Sequence, residues 1–310
     1  NGDSLSIIYN GSYLINSDVT VINNSNINIT NITTWTSSGI NNCILERKSN
    51  TNTPSGNSIE RTAEGMHFNP EYTNQLSNPG GATEYLQGTT TAFDAYSIFV
   101  VLTPTVTIDT NSSYRNTSFT FVNVSDNSNG RNIIIGLGSW TGFINNELIY
   151  LSNWPADPWW GYGSTAFFSA HVGSQVGSQL IANERILLNF NYNSSTNKYD
   201  CYKNGVNQTG SNFQYWEESD ANNPKLISMN TITLGALGPR HENGVQHFCN
   251  NIIVSEFIIY HTSVTANTIT NTNDYLKYKW NIGSNSATTL SITPFIHFDS
   301  TDASKMTSGV

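Results

Sequence analysis

Chemistry on a substrate needs nucleophiles, acid–base pairs or metal ligands at set spacings. In this 310-residue chain the densest carboxylate group is Glu217, Glu218 and Asp220. Glycoside hydrolysis with retention requires two carboxyl groups about 5 Å apart flanking the sugar. Glu217 and Glu218 are neighbours, so on a strand they would face opposite ways, and their polar surroundings read as a solvated turn. No Gly-x-Ser-x-Gly elbow is present, and Cys43, Cys201 and Cys249 have neither metal-type spacing nor the neighbourhood of a nucleophile. They read as thiols packed like small apolar groups, with one disulfide among them left open. Among six histidines only His241 and His247, with Glu242 between them, are close in sequence; they stand in a Gly-rich loop and read as surface residues.

Binding chemistry has a better candidate. The segment from Trp154 to Gly163 reads WPADPWWGYG, the most unusual local composition in the chain. Pro155 and Pro158 restrict the backbone on either side of Asp157, and Gly161 and Gly163 allow a tight return. Trp154, Trp159, Trp160 and Tyr162 are thereby expected to form a partly ordered aromatic platform. Sugar rings present an apolar C–H face to such planes, and Asp157 could accept hydroxyl hydrogen bonds. The other reading is an aromatic cluster that covers the end of a sandwich or sits in a subunit interface, where Trp and Tyr are also enriched.

The elements that must position these residues are strands. Charged residues make up 11% of the chain and the formal net charge is −9. With no basic stripe to release counterions, a nucleic-acid partner is excluded. About one residue in seven is Asn, a composition that favours turns and strands over helix interiors. Nine Asn-x-Ser/Thr sites, at Asn10, Asn23, Asn28, Asn31, Asn111, Asn116, Asn123, Asn193 and Asn207, match the number this composition yields by chance, so they are no evidence for glycosylation. Apolar runs such as Ile133 to Leu137 are far shorter than a membrane span, and nothing resembles a signal peptide. A chain that begins with Asn reads as processed or as a segment of something longer.

The organising stretch is Asn251 to Ile282. Ile252 to Tyr260 is apolar on both faces except at Ser255 and Glu256, which fits a central strand. The period then changes: Ile269, Leu276 and Trp280 share one side of a helix, with Thr265 or Thr268 as N-cap and Gly283 just past the end. Upstream, strands are expected at Ile59 to Phe68, Ala95 to Leu102 (stopped by Thr103-Pro104), Glu147 to Ser152, Thr165 to Val172, Glu184 to Tyr192 and Thr231 to Ala236. Ser118 to Val124 and Asn132 to Leu137 read as a hairpin pair, and Lys198 to Lys203 leads through Asn204-Gly205 into Val206 to Thr209.

A last strand feeding a short helix that ends Tyr-Leu-Lys-Tyr-Lys-Trp, a Trp35-Thr-Ser-Ser-Gly opening turn over Thr34 to Asn42, and the Tyr199 to Val206 hairpin together resemble the LamG-like branch of the concanavalin A-like lectin/glucanase superfamily. The resemblance spans roughly Thr34 to Ile282 and rests on the order of elements. It implies an all-β fold: a concanavalin A-like jelly-roll β-sandwich with one short helix near the C-terminal end. The expected organisation is 1–33 as edge strands or linker, 34–283 as the sandwich, and 284–310 as a linker and the start of a following repeat. That last expectation comes from Phe298-Asp-Ser-Thr-Asp-Ala-Ser304, which resembles a domain-opening segment; the other reading is a C-terminal strand packed back on the sandwich.

The superfamily contains glucan hydrolases, but their Glu-x-Asp-x-x-Glu pattern is absent here. The resemblance therefore implies a non-catalytic extracellular or virion-surface module, a carbohydrate- or receptor-binding fibre or capsid-decoration protein. The alternatives are a purely structural assembly subunit and a glycan hydrolase. Expected partners are a glycan or host-surface receptor and neighbouring subunits or tandem domains, with no nucleic acid and no membrane insertion. No cofactor is expected, although calcium, which such sandwiches often hold, stays open; Asp94, Asp157 and Asp200 are scattered candidates without an assigned ligand set.

Overall fold

The computed structural model describes residues 7–8, 12–13, 32–41, 43–49, 59–62, 64–68, 84–105, 107–109, 119–126, 131–137, 149–154, 168–172, 179–196, 198–208, 213–216, 228–235, 252–283, 294, 296–301 and 303–308. They form a jelly-roll sandwich of two large antiparallel sheets with one α-helix, beside two separate two-stranded pairs, Ile7–Ile8 with Ser12–Tyr13 and Ile108–Asp109 with Gln179–Leu180. One sheet has ten strands, in the order Phe213–Trp216, Phe168–Val172, Ile149–Trp154, Arg131–Leu137, Phe119–Asp126, Ser228–Leu234, Glu84–Asp94, Ile44–Ser49, Ile32–Thr36 and Met306–Ser308. The other has eight. Its path runs Val206–Asn207, Lys198–Lys203, Ile186–Asn193, Ser97–Pro104, Ile252–Tyr260, Gly65–Phe68 and Ile59–Thr62, and Ile296–Asp299 also pairs with Ile252–Tyr260.

The inner faces supply one apolar core. Trp35, Leu45, Leu86, Ile232 and Leu234 from the first sheet meet Phe68, Val100, Leu188, Phe190, Val254 and Phe257 from the second. A second cluster lies on the outer face of the eight-stranded sheet, where Phe99, Val101, Leu187, Ile258 and Tyr260 are covered by Tyr275, Leu276 and Trp280 of the helical segment. The central strand Ile252–Tyr260 is therefore buried on both faces, as its apolar run requires.

A β-bulge organises that strand. Its register against Ser97–Pro104 shifts between Val254 and Glu256, leaving Ser255 as the extra residue. Before the bulge the even-numbered Ile252 and Val254 face the sandwich core; after it the odd-numbered Phe257 and Ile259 do. Without the extra residue Glu256 would point into the apolar core. With it, Glu256 lies on the helix side, opposite Val101. Ser255 is held by its Oγ donating to the Glu64 carbonyl at 2.5 Å and by its carbonyl accepting from Ser300 N at 3.0 Å.

The helix runs Ala266–Lys279. Thr265 is its N-cap, with Oγ1 accepting from Thr268 N at 3.2 Å. The chain leaves it through Asn281 at φ 54, with Asn281 N donating to the Tyr278 carbonyl and Ile282 N to that of Lys277. This is a Schellman stop. The left-handed cap position thus belongs to Asn281 rather than to Gly283. The buried side of the helix includes Thr268, Thr272, Asn273, Tyr275 and Leu276, while Ile269 is only partly covered. Thr272 can be buried because its hydroxyl donates to the Thr268 carbonyl and meets Tyr260 Oη at 3.0 Å.

Ile44–Ser49 and Phe213–Trp216 are strands that the sequence reading did not include, and two of the expected strands differ in form. Ile59 to Phe68 is a tight hairpin, Ile59–Thr62 against Gly65–Phe68, with Thr62 Oγ1 accepting from Glu64 N and Gly65 at φ 144. Ser97–Pro104 continues through Thr103 to Pro104, which sits at the strand end opposite Ile252. From the stretch after the helix, Ile296–Asp299 pairs with the central strand and Met306–Ser308 pairs with Ile32–Thr36. The opening turn joins the same segment: Ser38 N donates to the His297 carbonyl, and Ser37 Oγ accepts from His297 N.

Candidate functional site

The densest ionisable group among the described residues lies between the helix and the eight-stranded sheet. Glu256 from the central strand, His297 and Asp299 from the neighbouring strand, and Tyr275, Lys279 and Trp280 from the helical segment converge there. The bulge places Glu256 on this face, and pairing places Asp299 directly opposite it. A helix spacing of four brings Tyr275 and Lys279 to one side.

Both oxygens of Glu256 are saturated. Oε1 accepts from His297 Nε2 at 2.6 Å and Tyr275 Oη at 3.3 Å; Oε2 accepts from Trp280 Nε1 at 2.6 Å and Lys279 Nζ at 2.9 Å. Lys279 Nζ also donates to Asp299 Oδ2 at 2.5 Å, and Asp299 Oδ1 accepts from the backbone and hydroxyl of Thr301. Glu256 and His297 are 0% exposed and Asp299 is 5% exposed.

The electrostatics follow from this closure. Burial alone would favour neutral Lys279, but Asp299, Glu256 and Tyr275 together outweigh it and hold the ammonium charged well above its usual range. Burial likewise works against ionised Asp299, yet Lys279, His297 and the Thr301 hydrogen bond bring its carboxyl down to about 2. The Tyr275 phenol is pushed up, first by burial and then by Glu256.

Glu256, His297 and Asp299 offer ligand atoms within 4.8 Å of one another, a spacing that could hold a metal ion. The Lys279 ammonium already bridges the two carboxylates, and a divalent ion would meet its charge at close range. Calcium also takes six to eight oxygen ligands. The donor set therefore fits a built-in ammonium and does not fit calcium. Asp94 closes the strand Glu84–Asp94 and Asp200 lies beside Asn193 Nδ2 at 3.3 Å; neither joins a cluster of three ligands among the described residues.

A second feature is an open groove of about 520 Å³ at one end of the eight-stranded sheet, beside the helix C-terminus. Glu64, Thr103, Arg185, Asn204 and Trp280 line it. Arg185 Nη1 donates to the Trp280 carbonyl at 2.9 Å, and its Cζ lies 4.9 Å from the indole centroid. Burial lowers the Arg185 guanidinium from its usual value, and the Glu64 carboxylate opposes that shift.

Of the aromatic platform read from the sequence, Trp154 ends the strand Ile149–Trp154, with its backbone opposite Asn132. Asp157, Trp159, Trp160 and Tyr162 lie outside the described residues, as do Glu217, Glu218, Asp220, His241, Glu242, His247 and Cys249. Cys43 and Cys201 are buried thiols in the apolar core, and burial pushes Cys43 up to about 11. The Glu256 cluster was not identified from sequence. Its signal was the one carboxylate inside an otherwise apolar central strand, which must be paired to be buried.

No protein-family model matches the chain, and no curated protein matches it. Among solved structures it is similar to the native heptameric SAP-like pentraxin from Limulus polyphemus, at 8% identity and a TM-score of 0.40, covering 67% of this chain and 78% of that one. A likeness at this level transfers no residue, ligand or activity. The jelly-roll assignment rests on the strand pairing and the two-faced core.

Proposed function

We propose that this protein is a non-catalytic module of LamG-like type, a rigid sandwich that presents loop surface to a glycan or host-surface receptor. In this reading it is a subunit of an extracellular or virion-surface assembly, a fibre or capsid-decoration element. The observation that carries the proposal is the placement of Lys279 between Glu256 and Asp299. The best-organised acid–base groups among the described residues are buried, saturated and committed to joining the helix and the Ile296–Asp299 strand to the sheet. Glycoside hydrolysis would need one carboxyl free to give a proton and another free to reach the sugar.

The low content of charged residues and the abundance of Asn, Ser and Thr are consistent with a polar, uncharged exterior. The Trp154 to Gly163 segment supplies the contact chemistry, since aromatic planes stack on sugar rings. A glycan array with wild type, Trp159→Ala and Trp160→Ala, read beside melting temperatures, tests this. Binding weakened by on the order of 1–3 kcal/mol at unchanged melting temperature supports a lectin surface. Unchanged binding with a lowered melting temperature makes the segment packing or subunit interface.

A further inference from the structure

We propose that the groove bounded by Thr103, Arg185, Asn204 and Glu64 is a binding site for a neutral polyhydroxylated ligand, a saccharide unit. It is built from other elements than the tryptophan-rich segment. Its volume of about 520 Å³ falls inside the roughly 300–1,000 Å³ span of small-molecule sites.

Two buried polar groups at this groove lack the partner that burial demands. Thr103 is 1% exposed, yet its Oγ1 has no hydrogen-bond partner among the described residues. Arg185 Nε is likewise buried and unpartnered, although Nη1 of the same guanidinium is bonded to the Trp280 carbonyl. Buried polar atoms are normally satisfied, and an exception calls for a missing donor or acceptor. Both residues line the groove, so ligand oxygens seated against them would supply those partners.

The charges select the ligand. One guanidinium and two carboxylates, Glu64 and Glu184, line the groove, and both glutamates are exposed. Two carboxylates oppose an anion, and Arg185 opposes a cation. A hydroxyl group accepts from Arg185 Nε and donates to a glutamate, so a ligand bearing several hydroxyls satisfies both kinds of group at once. Trp280, 4% exposed with a guanidinium above its ring, offers no stacking face, so recognition here is by hydrogen bonds.

The walls are preformed. The non-glycine residues of positive φ among those described are Asn183, Asn204 and Asn281, and all three line this groove. Each is a turn or cap position fixed by backbone hydrogen bonds, so these walls hold their shape without a ligand. Asn183 N donates to the Pro104 carbonyl, and Asn204 exchanges two hydrogen bonds with the Leu187 backbone, each 2.8 Å, which uses its Oδ1 and leaves the amide nitrogen as a further donor. A groove held by such turns loses little entropy when a ligand enters.

The test is an NMR titration of the ¹⁵N-labelled full chain with methyl α-mannoside, methyl β-galactoside, methyl β-glucoside and myo-inositol, with sodium sulfate as the anionic probe. At least one polyol is expected to shift the Arg185 Nε–H signal saturably in the millimolar range. Thr103→Val, which keeps the shape and removes only the hydroxyl, should weaken that binding about tenfold without lowering the melting temperature, because it deletes an unpaired buried group. Trp159→Ala should leave this titration unchanged, so failure of the tryptophan-segment reading and failure of this one are distinguishable. No saturable shift with any polyol up to about 50 mM, a shift with sulfate alone, or binding indifferent to Thr103→Val would overturn the proposal.

Discussion

Glu256 and Asp299 stand directly opposite each other in the antiparallel pairing of their strands, and Lys279 Nζ lies 2.9 Å from the first and 2.5 Å from the second. Like charges in that position repel. One ammonium from the last turn of the helix converts the repulsion into a three-element joint. Removing it would leave two buried carboxylates uncompensated.

Lys279→Met is therefore expected to destabilise the fold by about 3–5 kcal/mol, the range for breaking a buried pair from one side. Urea denaturation measures this. Adding Asp299→Asn and Glu256→Gln to Lys279→Met should recover part of the loss, since the unpaired charges disappear with their partner. An additive further loss would contradict the joint.

The cluster also sets a pH dependence. Asp299 has its carboxyl lowered from 3.8 to about 2, so its contribution is full above the unfolded value. It is lost as pH falls from about 4 through about 2, and is worth roughly 2 kcal/mol. Lys279 is raised above 10.5, so its contribution is full below that value and declines as pH rises beyond it. Melting temperature against pH should drop at both ends, and Asp299→Asn should flatten the acid limb.

Gly65 is a backbone test of the bulge. At φ 144 it passes so close to the central strand that a Cβ would lie 2.6 Å from the Val254 carbonyl and 2.8 Å from Ser255 Cα. Gly65→Ala should cost well over about 1 kcal/mol, because neither conformation nor space admits the methyl group. Chemical denaturation beside Gly205→Ala, whose Cβ would meet only the Lys277 side chain at 3.6 Å, separates steric loss from the shared positive-φ penalty.

Much of this fold was legible because strand and cap signals are local. The run Ile252–Tyr260, the Lys198–Lys203 strand with its Asn204-Gly205 turn, and an N-cap at Thr265 or Thr268, of which the structure uses Thr265, all follow from side chains within a few residues. The Ile59 to Phe68 hairpin was hidden because its turn is only two residues long. The helix stripe differs at Thr268 and Thr272, which are buried because the Thr272 hydroxyl bonds to the Thr268 carbonyl and to Tyr260 and the Thr268 hydroxyl meets that of Thr265. The ion cluster needs partners from the central strand, the helix and the segment after it, and its geometry depends on one extra residue at Ser255. Alternation read along the strand places Glu256 on the wrong face unless the bulge is known. The groove is less legible still, since Glu64, Thr103, Arg185, Asn204 and Trp280 meet only through the sheet order.

Reducing-sugar release from a panel of β-glucans, by wild type and by Glu256→Gln measured beside their melting temperatures, tests the central claim most directly. If the cluster is a joint in a non-catalytic module, neither protein releases sugar and Glu256→Gln melts at a lower temperature. Release by wild type that Glu256→Gln abolishes, at an unchanged melting temperature, would contradict the account.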